Sequence, residues 1–150
     1  MIRCVIVEDE EMARNVLKSL LAQYCQDVMV CAEADDIVSG KNMIETFRPD
    51  LVFLDIEMPG GSGFKLLSSI DNIDFEVVFI TAYEQFAIKA IRHDALDYIL
   101  KPIDPKELVA AVEKVKEAKY KKTLKKQYDS LLKNLDPEQL VVRKISLSTA

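Results

Sequence analysis

Short apolar runs alternate with helical patterns along most of the chain. The runs are rich in β-branched residues and carry apolar residues at successive positions, which is typical of strands buried on both faces of a parallel sheet. We predict strands at 2–7, 28–33, 51–54, 75–80 and 96–100. The predicted helices are 10–24, 36–47, one that follows the glycines at 60, 61 and 63, 84–92, and a long one from near 105. These five strand–helix units predict a doubly wound α/β fold with an extended C-terminal helix, and function at the carboxyl ends of the strands.

The first and last predicted helices carry apolar stripes. In the first helix the stripe consists of Met12, Val16, Leu17, Leu20 and Leu21. The last helix continues beyond the alternating pattern and ends in a seam with spacings of four, three and four residues, formed by Leu124, Tyr128, Leu131 and Leu135. Such a seam resembles a coiled coil and favours a homodimer, although an isolated linker helix carries the same pattern. We expect Asp136-Pro137 to end this helix, and 140–147 begins a strand-like segment that has no partner strand.

Composition narrows the class of protein. At 150 residues, with 49% hydrophobic and 30% charged side chains, the chain has room for one soluble globular domain and a short appendage. Because it has no apolar run long enough to cross a bilayer and no secretory signal at its start, we expect a cytoplasmic protein without membrane association. The cysteines Cys4, Cys25 and Cys31 lack metal-binding spacing, and buried reduced thiols are expected at Cys4 and Cys31.

Charge is distributed unevenly along the chain. Residues 1–113 carry a net charge of −11 and residues 114–150 one of +6, so the two segments are expected to have different partners. Lysines such as those between Lys114 and Lys133 most often cover a solvated helix face. The alternative is an arm that contacts nucleic acid, which a steep salt dependence of binding, lost on deletion of 114–135, would favour.

Polar side chains follow four of the predicted strands. The first strand ends in Glu8-Asp9, the third in Asp55, the fourth in Thr81 and the fifth in Lys101-Pro102. Because the carboxyl ends of parallel strands share one edge of the sheet, we expect these residues to converge. Crowded carboxylates repel one another unless a cation neutralises them, and Mg²⁺ suits oxygen ligands best. A carboxylate nucleophile, a dication, a lysine and a hydroxyl are together what phosphoryl transfer requires.

Each of these residues also has a purely structural interpretation. Asp9 could cap the first helix, Thr81 could cap the fourth helix, and Lys101 could be a surface lysine. Asp55 has fewer alternatives, because a carboxylate that ends a fully apolar strand is costly without a partner. Their joint occurrence on separate strands favours the functional interpretation. The single histidine, His93, falls near the end of the fourth helix and is expected to be a surface residue.

The sequence resembles the receiver domain of two-component response regulators over about residues 1–118. The resemblance is carried by VIVEDEE at 5–11, PDLVFLDIEMPGGSGFKLL at 49–67, VVFITAY at 77–83 and ALDYILKPI at 95–103. It implies a flavodoxin-like receiver fold in which Asp55 takes a phosphoryl group from a sensor histidine kinase. It further implies that Mg²⁺ is held by Glu8, Asp9, Asp55 and the backbone carbonyl of Glu57. Such a protein is a phosphoacceptor and not an enzyme, apart from self-phosphorylation and autodephosphorylation.

The same resemblance assigns roles around the acceptor. It implies that Thr81 binds the phosphoryl group, that Lys101 pairs with it, and that Tyr98 turns inward on activation. It also implies that the peptide bond between Lys101 and Pro102 is cis. The surface formed by the fourth helix, fifth strand and fifth helix would then change shape as the population shifts between two packings.

Two side chains at the predicted site are expected to change its properties relative to other members of the family. Glu8 stands where the family more often has aspartate, and its longer side chain is expected to shift the metal affinity without abolishing binding. Tyr83 lies beside the predicted site and is bulky. We expect it to hinder attacking water and to lengthen the lifetime of the phosphoryl group.

The output of the receiver is suggested by two stretches of sequence. ITAYEQFAIKAIRHDALDYILKPI at 80–103 resembles receivers of LytTR-type (LytR/AlgR-like) transcription regulators, and VVRKISLSTA at 141–150 resembles the first strand of the LytTR DNA-binding domain. This resemblance predicts a receiver at 1–118, a helical linker at 119–137 and the start of a truncated DNA-binding domain at 138–150. Because DNA would be bound only through the missing C-terminal domain, the chain alone is expected to bind no specific DNA.

Two other functions remain open from the sequence. A stand-alone receiver could relay phosphoryl groups, although the long helix and the orphan strand argue against it. A haloacid-dehalogenase-like phosphatase also uses an aspartate at a strand end with Mg²⁺, and Asp55-Ile56-Glu57 is loosely similar to its acidic pair. Incubation with acetyl phosphate would separate them, because a receiver forms a slowly decaying aspartyl phosphate whereas a phosphatase turns over exogenous esters.

Overall fold

The computed structural model describes residues 1–134. In chain order, the elements are β1 (Ile2–Val7), α1 (Glu11–Tyr24), β2 (Val28–Ala34), α2 (Ile37–Phe47), β3 (Leu51–Leu54), β4 (Glu57–Met58), β5 (Gly61–Ser62), α3 (Gly63–Ser68), β6 (Glu76–Thr81), a 3₁₀ turn (Glu84–Phe86), α4 (Ala87–Arg92), β7 (Asp97–Leu100) and α5 (Pro105–Lys133).

The sheet explains how the strand ends meet. Its five strands lie in the order β2-β1-β3-β6-β7 and all pairs are parallel. The strand β3 lies at the centre, between β1 and β6, and is buried along its whole length. Strands β4 and β5, which the apolar pattern did not predict, form a separate antiparallel hairpin after β3. The predicted doubly wound parallel sheet of the receiver fold is confirmed.

Helices cover both faces of the sheet, which is why the strands are apolar at successive positions. One core layer packs α2, α3 and α4 against the sheet through residues such as Ile44, Leu66 and Ala90. The other packs α1 and the first part of α5 through residues such as Leu21 and Val112. The chain divides into two compact units after Lys116, so the sheet and both core layers lie within residues 1–116.

The N-termini of the helices show whether Asp9, in the Glu8-Asp9 pair, serves as a helix cap. Asp36 caps α2, accepting a hydrogen bond from Ser39 N at 2.7 Å, and Ser62 caps α3 by accepting one from Lys65 N at 3.2 Å. The N-cap residue of α1 is Glu10, whose own side chain makes no capping hydrogen bond. Asp9 is therefore not the N-cap residue of α1, and the structural interpretation of its carboxylate is not supported.

Two helices differ from the prediction. In α1, Leu17 and Leu21 are buried, but Met12 is 80% exposed and Val16 is 51% exposed, so the predicted stripe is wider than the face that meets the sheet. Residues 84–92 form a 3₁₀ turn followed by a short α4, since tight 3₁₀ geometry is common at helix starts. His93, after α4, is half-buried and lies with its ring centroid 5.0 Å from that of Phe64.

The three cysteines differ in burial. All three cysteines are free thiols; Cys4 and Cys25 are buried, whereas Cys31 is only half-buried. The pKa of Cys4 is raised to about 12, chiefly by burial and also by Cys31, which disfavours its thiolate form. None of the helices within residues 1–134 is long and apolar enough to span a membrane.

The helix α5 continues to Lys133, as its long pattern predicted. Within residues 117–134 it exposes Tyr120, Leu124 and Leu131, which include two members of the predicted seam. The remaining predictions for the C-terminus concern Leu135, the stop at Asp136-Pro137, the strand at 140–147 and the domain start at 138–150, and they lie outside the described residues.

Candidate functional site

The backbone brings the predicted site residues to one edge of the sheet. Because Val7 pairs with Leu54, the residues that follow these strands are neighbours, and Asp55 N donates to Val7 O at 3.0 Å. On the other side, Lys101 N donates to Thr81 O at 2.8 Å, which extends the pairing of β6 and β7 by one residue. The side chains therefore converge as a consequence of strand order and register.

Three carboxylates form a cluster at this edge. Glu8, Asp9 and Asp55 each offer an oxygen within 4.8 Å of the others. Glu8 is 6% exposed and Asp55 is 7% exposed, so two of these acids are buried. The pKa of Glu8 is raised to about 7, chiefly by burial, with the hydrogen bond to Asp9 and the charge of Asp55 acting in the same direction and Lys101 opposing them. An all-oxygen set of this kind is suited to a hard dication such as Mg²⁺.

Lys101 supplies the positive charge next to these acids. Its Nζ donates to Asp55 Oδ2 at 3.0 Å and also to Glu8 Oε1, so one ammonium bridges two carboxylates. Burial lowers the pKa of Lys101, but the hydrogen bonds to the two acids outweigh that effect, and its pKa lies above the usual value. The peptide bond from Lys101 to Pro102 is cis, as the resemblance implied.

The other carboxylate oxygen of Asp55 is also held in place. Its Oδ1 accepts a hydrogen bond from Ile56 N at 2.7 Å. The backbone behind it is crowded, because a Cβ on Gly63 would lie 2.5 Å from Asp55 O and 2.9 Å from Leu54 Cγ. Gly63 N in turn donates to Ile56 O at 2.7 Å. The glycine thus lets the start of α3 pack directly against the backbone that carries Asp55.

Aromatic residues lie beside the acidic cluster. Thr81 is fully buried, and its Oγ1 accepts a hydrogen bond from Tyr83 N at 3.4 Å. The half-buried Tyr98 donates its hydroxyl to Tyr83 O. Tyr83 is 39% exposed, and its hydrogen bond to Glu57 is the main reason that the pKa of Tyr83 is raised. Burial is the main reason that the pKa of Tyr98 is raised.

A cavity of about 350 Å³ opens next to the cluster, between α1 and the segment that follows β7. Its walls are mostly apolar, and they also include Glu8, Asp55 and Lys101. Val16 lines this cavity, and Val16 and Met12 both line a second recess on the outer side of α1. The exposed part of the α1 stripe therefore adjoins the acidic site, an arrangement that its helical period alone could not reveal.

Sequence reasoning missed one residue that contacts the site. Arg14, on α1, donates from Nη1 to the backbone carbonyl oxygen of Glu8 at 2.8 Å. Its Nε also lies 3.3 Å from Glu33 Oε1, on β2. The available signal was an arginine near a helix N-terminus, where the helix dipole disfavours positive charge unless specific partners offset it.

Comparison with known proteins agrees with this geometry. Residues 4–113 match the response regulator receiver domain family. An uncharacterized response regulatory protein from Vibrio cholerae is 41% identical over 116 residues, covering 77% of this chain and 48% of that protein. The sensory transduction protein LytT from Bacillus cereus is 38% identical over 121 residues, covering 79% of this chain and 49% of LytT. The chain therefore spans about half the length of the curated relatives it matches.

Solved structures give the same result. The chain superposes on the receiver domain of AraT, a response regulator from Geobacillus stearothermophilus, with a TM-score of 0.72 and 30% identity, covering 81% of this chain and 98% of that domain. A DNA-binding response regulator of the LuxR family from Staphylococcus aureus gives a TM-score of 0.70 at 30% identity, covering 77% of this chain and 98% of the other. The family match spans the strand ends that carry the acidic cluster and the lysine, and favours a receiver over a haloacid-dehalogenase-like phosphatase. The chain belongs to the response regulator receiver domain family.

Proposed function

We propose that Asp55 is a phosphoacceptor that takes a phosphoryl group from a phosphohistidine of a sensor histidine kinase. The observation that carries the proposal is that Lys101 Nζ lies 3.0 Å from a buried Asp55 carboxylate that shares its site with two more acids. A carboxylate oxygen of Asp55 attacks phosphorus and forms the new P–O bond. The P–N bond of the donor breaks, and its electron pair stays on the imidazole nitrogen. Lys101 stabilises the negative charge on the transferring oxygens.

The acidic cluster fits a Mg²⁺ cofactor. Glu8, Asp9, Asp55 and the backbone carbonyl of Glu57 are the groups proposed to hold it, and three of them are carboxylates within 4.8 Å. When bound, the ion supplies positive charge that screens the carboxylates and the charge on the phosphoryl oxygens. Lys101 already balances part of the negative charge of the carboxylates, since its ammonium bridges Glu8 and Asp55.

Phosphorylation is proposed to act through Thr81 and Tyr98. Added charge at Asp55 favours movement of the Thr81 hydroxyl and of Lys101 toward the phosphoryl group. Tyr83 N donates to the Thr81 hydroxyl and the Tyr98 hydroxyl donates to Tyr83 O, so a shift at Thr81 reaches Tyr98 through two hydrogen bonds and the backbone of Tyr83. The surface of α4, β7 and the first part of α5 is the proposed site of the resulting change.

Tyr83 is proposed to control how long the phosphoryl group survives. Its hydrogen bond with Glu57 links two side chains that flank the acidic cluster, which supports a barrier to attacking water. Tyr83→Ala should therefore lose phosphate several-fold faster than the parent when the decay of the aspartyl phosphate is followed. Tyr83→Phe keeps the bulk but not the hydroxyl, and a fast decay in this variant as well would assign the effect to the hydrogen bond. A decay in Tyr83→Ala no faster than in the parent would refute the role.

The exposed part of the α1 stripe is the proposed contact for the kinase. Met12 and Val16 are large apolar side chains left in solvent next to the cavity that leads to Asp55. A partner that delivers phosphohistidine to Asp55 must approach from this edge of the sheet, and burial of these side chains would stabilise its docking.

The output of the receiver is proposed to be transcriptional. Similarity to LytT and the span of about half of each relative support a longer protein in which residues 1–118 are the receiver and 119–137 a helical linker before a DNA-binding domain of the LytTR type. A homodimer through the exposed apolar residues of α5, and a cytoplasmic location, belong to the same proposal. The alternative within signalling is a stand-alone phosphorelay receiver.

Labelling by acetyl phosphate and by a phosphorylated kinase tests the central proposal. Phosphate-affinity gels should show near-stoichiometric, Mg²⁺-dependent labelling of the parent and none of Asp55→Asn. Asp71→Asn, an exposed acid outside the cluster, is the matched control and should be labelled like the parent. Stoichiometric labelling of Asp55→Asn would exclude Asp55 as the acceptor.

A further inference from the structure

Arg14 connects three parts of the structure next to the Glu8-Asp9 pair. Its guanidinium donates from Nη1 to Glu8 O at 2.8 Å and faces Glu33 Oε1 from Nε at 3.3 Å. The Arg14 side chain is only 17% exposed, so these contacts are partly shielded from water. A single planar fork therefore connects α1, the end of β1 and the strand β2.

Glu33 is itself held from two sides. It pairs in register with Ile6 on β1, and its second oxygen, Oε2, lies 3.0 Å from Lys18 Nζ. Because Arg14 and Lys18 are four residues apart on α1, the Glu33 carboxylate lies between cations on successive turns of one helix. The Glu33 carboxylate thereby fixes the orientation of the Arg14 guanidinium group. Lys18 makes this contact without touching Glu8, which provides a natural control.

The contact with Glu8 fixes the backbone that carries the predicted metal ligands. Glu8 N donates to Ala34 O at 2.9 Å, and Glu8 O accepts from Arg14. Because the carbonyl of Glu8 and the N–H of Asp9 belong to one planar peptide unit, holding that oxygen also sets the orientation of Asp9 at its Cα. The Glu8 side chain is positioned too, since its Oε2 accepts from Glu10 N at 3.3 Å.

We propose that Arg14 is a positioning residue that orients the Glu8–Asp9 peptide so that the three carboxylates converge on one divalent cation. This inference rests on the proposed function, because it takes the acidic cluster to be the Mg²⁺ site. Groups that orient metal ligands typically change metal affinity by about 10–100-fold when they are removed. Lysine cannot replace arginine here, because a single ammonium lacks the fork that reaches Glu8 O and Glu33 together.

Mg²⁺ titrations of the full chain, followed by the amide NMR shift of Asp9, test the proposal without any phosphoryl transfer. Arg14→Gln should raise the dissociation constant for Mg²⁺ by about tenfold or more. Arg14→Lys should raise it nearly as much, since the charge is retained but the fork is lost. Lys18→Gln removes the other partner of Glu33, and its dissociation constant should stay within about twofold of the parent value.

Thermal unfolding and labelling separate positioning from a general loss of structure. If Arg14 acts by positioning, labelling of Arg14→Gln by acetyl phosphate should approach the parent rate when Mg²⁺ is raised about tenfold. An unchanged dissociation constant in Arg14→Gln, an equal rise in Lys18→Gln, or full rescue by Arg14→Lys would each overturn the inference. These outcomes differ from failure of the proposed function, in which the parent itself would show neither Mg²⁺-dependent amide shifts nor labelling.

Discussion

Replacing Asp9 by asparagine should stabilise the metal-free protein and abolish its response to Mg²⁺. Asp9 lies within 4.8 Å of Glu8 and Asp55, and the lysine at the site pairs with those two acids through Nζ. Asp9→Asn therefore removes like-charge repulsion while both observed ion pairs of Lys101 remain. The same change removes a proposed ligand of the cation. Opposite effects with and without metal are the signature of a site built around repelling carboxylates.

The expected size follows from the geometry. Two unit charges 4.8 Å apart repel by about 3.5 kcal/mol at an effective dielectric constant of 20. Because Asp9 is partly exposed and screened, we expect a net gain of about 1–2 kcal/mol in the free energy of unfolding. For a chain of 150 residues this corresponds to a rise in Tm of roughly 3–6 °C. Mg²⁺ at tenfold its dissociation constant should stabilise the parent by about 1.4 kcal/mol and leave Asp9→Asn unchanged.

Circular dichroism melts at pH 8, in EDTA and in Mg²⁺, measure both effects. At that pH Glu8 is mostly ionised, even though its pKa is raised to about 7, chiefly by burial. Asp71→Asn is the control, because Asp71 is an exposed acid away from the cluster and its removal should shift neither melt. The reasoning fails if Asp9→Asn lowers Tm in EDTA, or if it keeps the stabilisation by Mg²⁺.

Three further outcomes are expected. Gly63→Ala places a Cβ 2.5 Å from Asp55 O and should lower the free energy of unfolding, measured in urea, by about 1–3 kcal/mol. The Cβ of Gly60→Ala meets nothing within 4 Å, so this variant should lose only about 1 kcal/mol, through its φ of 85°. Equal losses in the two variants would contradict this contrast. The raised pKa of Glu8, from 4.5 to about 7, means that the folded metal-free protein keeps a proton that the unfolded chain has lost. The free energy of unfolding should therefore fall by about 1–3 kcal/mol as pH rises from 4.5 to 7 in EDTA, and Glu8→Gln should flatten that pH profile. With a kinase that labels the parent, Met12→Asp should slow phosphoryl transfer by about tenfold. Labelling by acetyl phosphate should continue at the parent rate. Equal slowing with both donors would refute a docking role.

The sheet could be predicted because its pattern is local. A continuous apolar run such as Leu51–Leu54 is buried on both faces, and its meaning does not depend on which element covers it. The stripe on α1 is different, because a period of 3.6 residues tells which side chains share a face but not how wide the contact with the sheet is. Met12 and Val16 share that face with Leu17 yet remain exposed.

The acidic cluster could be predicted for a topological reason. Glu8 and Asp55 follow parallel strands that pair side by side, so their position at one edge follows from the fold class alone. The contact of Arg14 with Glu8 could not be found in this way, since it depends on a side chain that reaches from a helix to a backbone carbonyl. The same holds for the hydrogen bond from Tyr98 to Tyr83, which depends on rotamers and not on strand order.

The strand order also bears on protein synthesis. The nucleophile directly follows the central strand, β3, but its lysine follows β7, which is the last of the five sheet strands in chain order and the outermost on its side of the sheet. A growing chain that has folded only through β6 therefore presents Asp55 without its cationic neighbour. The complete set of groups exists only after β7 has docked on β6, so a nascent or prematurely ended polypeptide cannot display the finished acceptor.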